Sequence, residues 1–298
     1  MESMQRRHSR SLAVAILSLT LAGAAHAQDA ARGASLLAEA RTALGGEDKL
    51  RAVKTLEVKS DFKRTAGQNT LEGELEIRIE RPGRMRRDED LSLPGGGPAI
   101  VRTEVLNGAD VWDENSGAGG LGGFGRGGGG RGFGGGRGRD QGGQAAGAPA
   151  AARALDPAQL EEFQRRTRVA DLARFNLMWL LDTNAPVAWV GTAESPDGKA
   201  DVLEITPAEG TSMRLFLDQS SHMPLMVTWQ GAAGPGGRRG RAGDQAATLQ
   251  FTLGEYKTVN GIKLPHHITR GAGGQTIEEW TVKSYKLNPS FKSDVFSK

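Results

Sequence analysis

From Leu71 to Glu80 the chain alternates without a break: Leu71, Gly73, Leu75, Ile77 and Ile79 interleave with Glu72, Glu74, Glu76, Arg78 and Glu80. Successive side chains of a strand point to opposite faces, so a period of two predicts a half-buried β-strand. Such a strand needs neighbours that share its apolar face, and the flanking sequence supplies them. Leu56 and Val58 begin an earlier strand, Met85 to Leu93 and Ala99 to Leu106 follow, and Asn107-Gly108 is a tight hairpin signal before Val111-Trp112. A second series of strands runs at 187–193, 200–206, 211–218, 223–230, 248–257, 262–270 and 276–287. Turn sequences such as Ser195-Pro196-Asp197-Gly198, Glu209-Gly210 and Asn260-Gly261 separate them.

Helical spacing appears in two places. Leu36, Leu37, Ala40 and Leu44 form a short apolar stripe that stops at Gly45-Gly46 and resumes briefly through Leu50 and Val53. Between the two strand series, Ala154 to Asp182 reads as the longest helix, opened by Asp156-Pro157. Its expected apolar face comprises Leu160, Phe163, Val169, Leu172, Phe175, Leu177, Trp179, Leu180 and Leu181. An up-and-down sheet of this length must curl to bury one face. The predicted fold class is therefore mainly β (α+β): an open antiparallel half-barrel wrapped on a long central helix, preceded by N-terminal helices.

The first residues read as an export signal. Arg6, Arg7 and Arg10 precede an apolar run from Leu12 to Ala22, and Ala25-His26-Ala27 is a small-x-small cleavage site. The run is shorter than the ~20 residues a membrane span requires. Residues 1–27 are thus a predicted signal peptide, and 28–298 a single domain that is periplasmic or secreted, with no transmembrane anchor in the mature chain. The chain has no cysteine, which excludes disulfides, thiolate metal sites and lipid attachment at the cleavage site.

Two glycine- and arginine-rich insertions, 117–152 and 231–244, have no periodicity and little to bury, and are expected to be flexible loops. The basic character sits there. Beyond the predicted signal the charge balance is +1, and without the two insertions it is about −4, so the body of the domain is mildly acidic. Gly-x-Gly-x-x-Gly matches occur between Gly117 and Gly138, but no Gly-Lys-Ser/Thr follows and no phosphate loop is predicted. Export also removes the usual nucleic-acid partners of such tracts.

No catalytic constellation is legible. Only His222, His266 and His267 lie beyond the signal, and adjacent strand residues such as His266 and His267 point to opposite faces. No Gly-x-Ser-x-Gly turn occurs. The acidic runs Asp88-Glu89-Asp90 and Glu278-Glu279 read as solvated faces. No metal, cofactor or catalytic residue is expected.

Several phrases resemble the outer-membrane lipoprotein-sorting (LolA/LolB-like) superfamily. They are Glu80-Arg81-Pro82-Gly83-Arg84-Met85-Arg86, Leu106-Asn107-Gly108 with Val111-Trp112-Asp113, Leu215-Phe216-Leu217-Asp218 with Met223-Pro224-Leu225, and the stretch from Tyr256 to Pro265. The resemblance spans residues 50–298 and implies an open β-barrel closed by helices around an apolar cavity that holds acyl chains. Leu75, Ile77, Ile79, Met85, Trp112, Phe175, Trp179, Met213, Leu225, Trp229 and Trp280 are the candidate lining residues. Core filling is the competing reading for each aromatic. The expected function is a periplasmic carrier that binds a lipid or lipoprotein acyl chain. An envelope sensor that meets a protein partner through the same fold, and an exported hydrolase, are the alternatives.

Overall fold

The first and last strands of the domain pair with each other. A computed structural model describes residues 29–66, 69–92, 99–116, 156–196, 198–208, 211–232 and 246–298. In it, β1 (Thr55–Ala66) lies antiparallel to β12 (Gln275–Leu287), with Leu56 opposite Leu287 and Phe62 opposite Trp280. From this seam one meander runs outward through β2 (Asn69–Glu80), β3 (Arg84–Ser92), β4 (Ile100–Asn107) and β5 (Asp110–Ser116). The other runs through β11 (Ile262–Ala272), β10 (Ala246–Val259), β9 (Pro224–Ala232), β8 (Met213–Asp218), β7 (Gly198–Ile205) and β6 (Val187–Ser195). The described residues thus form one open sheet of twelve strands, all pairs antiparallel, with β5 and β6 at its two edges.

This strand order dictates where the long helix goes. The chain leaves the sheet at edge β5 and re-enters at the opposite edge β6, so α3 (Pro157–Leu180) lies on the route between the two edges. It starts at a capping box in which Asp156 accepts from the Gln159 backbone N–H at 2.8 Å and the Gln159 side chain accepts from the Asp156 N–H. It stops at Leu181, held at φ 47°. Burial begins later than its apolar residues suggest: Phe163 is 40% exposed, and continuous burial runs only from Leu177 to Leu181.

Helices α1 (Ala30–Leu44) and α2 (Glu47–Ala52) precede the sheet. Helix α1 is capped by Asp29, buries Leu36, Leu37, Ala40 and Leu44, and ends at Gly45, whose φ of 132° favours glycine. It docks on β6 through Gly33, where an added Cβ would meet the Ala188 backbone at 2.8 Å. Buried residues from α1, α3 and every strand from β1 to β4 and β7 to β12 join in one hydrophobic cluster.

The predicted signal peptide at 1–27 and the insertion at 117–152 lie outside the described residues, as does the second insertion except for Gly231 and Ala232, which close β9. Among the described residues no helix is long and apolar enough to cross a membrane.

Candidate functional site

The concave face of the sheet is floored by aromatics and roofed by α3. The registers place Leu56, Ile79, Met85 and Leu106 in one inward row, and Val58, Ile77, Arg87, Glu104 and Asp113 in the next. Onto this floor α3 lowers Leu172, Phe175 and Trp179 at i, i+3 and i+7 spacing. Phe175 stacks on Trp179 at 5.2 Å between centroids and meets Phe251 at 6.0 Å and Trp280 at 6.1 Å. Phe251 in turn contacts Trp229 at 5.1 Å and Trp280 at 5.4 Å. Separations of 4.5–7 Å with tilted planes are the favourable geometry for ring pairs, worth roughly 0.5–1.5 kcal/mol each beyond burial.

Nine of the eleven candidate lining residues meet inside: Leu75, Ile77, Ile79, Met85, Phe175, Trp179, Met213, Trp229 and Trp280 are all buried. They pack on one another and their neighbours as core. Two sit elsewhere. Leu225 is 38% exposed, because Phe216 pairs with Met226 while Leu217 pairs with Pro224, leaving Leu225 as the extra residue of a β-bulge. Trp112 pairs with Val105 next to Arg86, on the outward row, and its ring lies 5.9 Å from the Arg86 guanidinium.

The interior is not wholly apolar, contrary to the reading of the acidic runs as solvated. Only alternate members of those runs face water: Glu89 is 1% and Glu278 3% exposed. The Arg64 guanidinium donates both terminal nitrogens to Glu89 at 2.9 Å and reaches Glu278 at 3.0 Å. Arg87 pairs with Glu89 at 2.7 Å, and Arg270 with Glu278 at 3.0 Å. A second group lies under the first buried turn of α3, where Arg168 donates to Glu104 at 2.9 Å and to Asp113 at 3.0 Å. Arg102 also pairs with Glu104. Asp171 takes Arg174 at 2.7 Å and Arg168 at 3.6 Å.

The two groups join the aromatic floor through cation–π contacts. Arg87 lies 5.5 Å from the Trp280 ring, Arg174 4.6 Å from Trp229, and Arg64 4.9 Å from Phe62. Burial alone pushes buried carboxyls up, but the surrounding guanidinium groups override it. Glu278, facing Arg270, Arg87 and Arg64, is held well below the ordinary carboxylate range, and Glu104 is lowered by Arg168, Arg102 and Arg87. Burial likewise opposes the charge of Arg87, and Glu89 with Glu278 overrides it. Arg174 is the exception: its desolvation outweighs Asp171 and lowers its pKa.

Sequence pattern held a signal for these charges. Arg87 and Glu89 share strand parity with Met85 and Leu91, Glu278 shares it with Trp280, and Arg168 lies four and seven residues before Leu172 and Phe175. Among the described residues, no group of His, Asp or Glu is placed to hold a metal ion. His266 is buried with Nδ1 3.0 Å from the Leu264 carbonyl, and His267 is partly exposed with Nε2 2.8 Å from Glu279. Two open cavities of about 340 and 400 Å3 lie away from the aromatic floor, one at the C-terminal end of α3 and one beside α1 and His222.

No protein-family model matches the sequence, and no curated protein sequence does either. Solved structures do match. A LolA-superfamily protein from Nitrosomonas europaea is similar at 12% identity and TM-score 0.48, over 89% of this chain and 97% of that one. A domain described as a putative outer membrane lipoprotein-sorting protein, from Vibrio parahaemolyticus, is similar at 10% identity and TM-score 0.43, over 90% and 97%. A DUF1329 family protein from Desulfovibrio piger is similar at 8% identity and TM-score 0.43, over 89% and 96%.

Proposed function

We propose that this chain is an exported binding protein whose ligand is the acyl chain of a lipid or lipoprotein, received between α3 and the aromatic floor, and that it performs no catalysis. One observation carries this reading. Helix α3 covers the concave face and belongs to no β-ladder, so lifting it would break the ion pairs of Arg168 with Glu104 and Asp113 but no strand pair. What it covers is a largely apolar surface, interrupted among the described residues by the paired charges and by the buried Ser60 hydroxyl and the Trp179 and Trp280 indole N–H groups, which have no hydrogen-bond partner. An acyl chain sliding into that space would replace the burial now provided by Leu172, Phe175 and Trp179, at ~0.8 kcal/mol per methylene. Glu104 and Glu278 are both held ionised by guanidinium groups, which suits Glu104 to anchoring the roof through Arg168 and Glu278 to tying β1, β3 and β11 together, and neither to proton transfer near neutral pH.

Native mass spectrometry of the protein purified from an envelope extract tests the proposal, together with displacement of a fluorescent acyl probe. The expected result is a bound lipid and a saturable probe signal that natural lipid competes away. A ligand-free protein that ignores the probe, or a stable protein partner in place of lipid, would overturn it.

A further inference from the structure

We infer that the cavity at the C-terminal end of α3 is an anion site, accepting a phosphate or carboxylate; granted the acyl-chain reading above, it is the resting place of an anionic headgroup. The cavity measures about 340 Å3, room for on the order of ten waters. Arg41, Arg51, Lys54 and Arg81 line it against two carboxylates, Glu47 and Asp182. The lining therefore carries two more cations than anions.

Two of the four cations are already committed. Arg41 donates Nε and a terminal nitrogen to the Leu181 carbonyl at 3.2 and 3.0 Å, and reaches Glu47 at 3.3 Å. Arg81 donates to the Val53 carbonyl at 2.8 Å and pairs with Asp182. Together they supply positive charge to the end of α3, whose last turn has no basic residue of its own. The excess is Arg51 and Lys54. Arg51 shares Glu47 with Arg41, at 2.6 Å, and its side chain is 69% exposed. The Lys54 ammonium has no hydrogen-bond or carboxylate partner among the described residues.

The rest of the lining gives the site its direction. Leu50 and Leu180, each 2% exposed, border the cavity and belong to the hydrophobic core. The unpartnered Lys54 and the exposed Arg51, whose carboxylate Glu47 is shared with Arg41, stand at a cavity bordered by core leucines and fit a molecule with an anionic head and an apolar tail. Charge-assisted hydrogen bonds from Arg51 and Lys54 would hold the head, at about twice the strength of neutral ones.

Binding of three probes to the full mature chain tests this: dodecyl phosphate, dodecyl maltoside and inorganic phosphate, each measured by calorimetry below micelle formation. The double variant Arg51→Gln, Lys54→Gln is compared with the parent, because neither residue caps α3; circular dichroism and the thermal midpoint verify its fold. Dodecyl phosphate is expected to bind at least about tenfold tighter than dodecyl maltoside, with the preference lost in the double variant. Equal affinity for the two amphiphiles, or a phosphate preference that survives the double variant, overturns the anion site while leaving the acyl-chain reading in place. If neither amphiphile binds but inorganic phosphate does, and the double variant abolishes it, the anion site stands and the acyl-chain reading falls. Binding of none of the three overturns both.

Discussion

Glu104 and Arg168 show how costly the interior charges are to disturb. Glu104 is 4% exposed and Arg168 6%, and they come from different elements, so their bond at 2.9 Å fixes the roof helix to the sheet. Removing one partner strands the other in a low-dielectric interior, which costs about 3–5 kcal/mol, whereas replacing both with apolar residues of similar volume is often neutral or stabilising. Glu104→Ala is therefore expected to lower the urea-derived stability by about 3–5 kcal/mol, with Arg168 left facing only Asp113 and Asp171. Glu104→Leu combined with Arg168→Met should recover most of that loss. A single variant that costs less than about 1 kcal/mol would show the pair to be no more than a surface bridge.

The strands were legible because two independent signals agreed. Period-two alternation named the segments, and turn residues fixed their ends: Asn107 pairs with Asp110 across Gly108-Ala109, and Val259 with Ile262 across Asn260-Gly261. The place of the long helix followed from its apolar residues. Hidden from this reading were features that depend on more than one element. The bulge that turns Leu225 outward arises from the pairing of β8 with β9, and the burial of Glu89 and Glu278 depends on arginines from β1, β3 and β11. The close seat of α1 on β6 is of the same kind. Gly33 lies within a helix, where alanine is normally better by about 1 kcal/mol. Its Cβ would nevertheless meet Ala188 and Trp189 backbone atoms at 2.8 Å, and backbone cannot swing aside as a side chain does. Overpacking of this sort costs roughly 1–3 kcal/mol, so Gly33→Ala is expected to destabilise by up to about 2 kcal/mol net in a denaturant titration. A stabilised variant would mean that α1 rides further from β6.

Across the whole molecule, the paired carboxylates make stability a function of acidity, with a definite sign. Glu278 and Glu104 have folded pKa values below the ordinary 4.5, so as the pH falls the unfolded chain takes up their protons first. Their contribution is thus complete above about pH 4.5 and drains away as the pH falls through the folded values. Because Glu104 is paired with Arg168 of the roof helix and Glu278 with Arg87, which lies 5.5 Å from the Trp280 ring of the floor, protonation strikes the roof and the floor together. Thermal midpoints measured from neutral pH downward should fall steeply once the pH drops below about 4.5. Glu278→Gln, which cannot ionise, should have a lower midpoint at neutral pH and a visibly shallower acid limb, since part of the proton uptake on unfolding has been removed. An acid limb as steep as the parent's would place the acid sensitivity in other carboxylates and leave Glu278 a bystander to it.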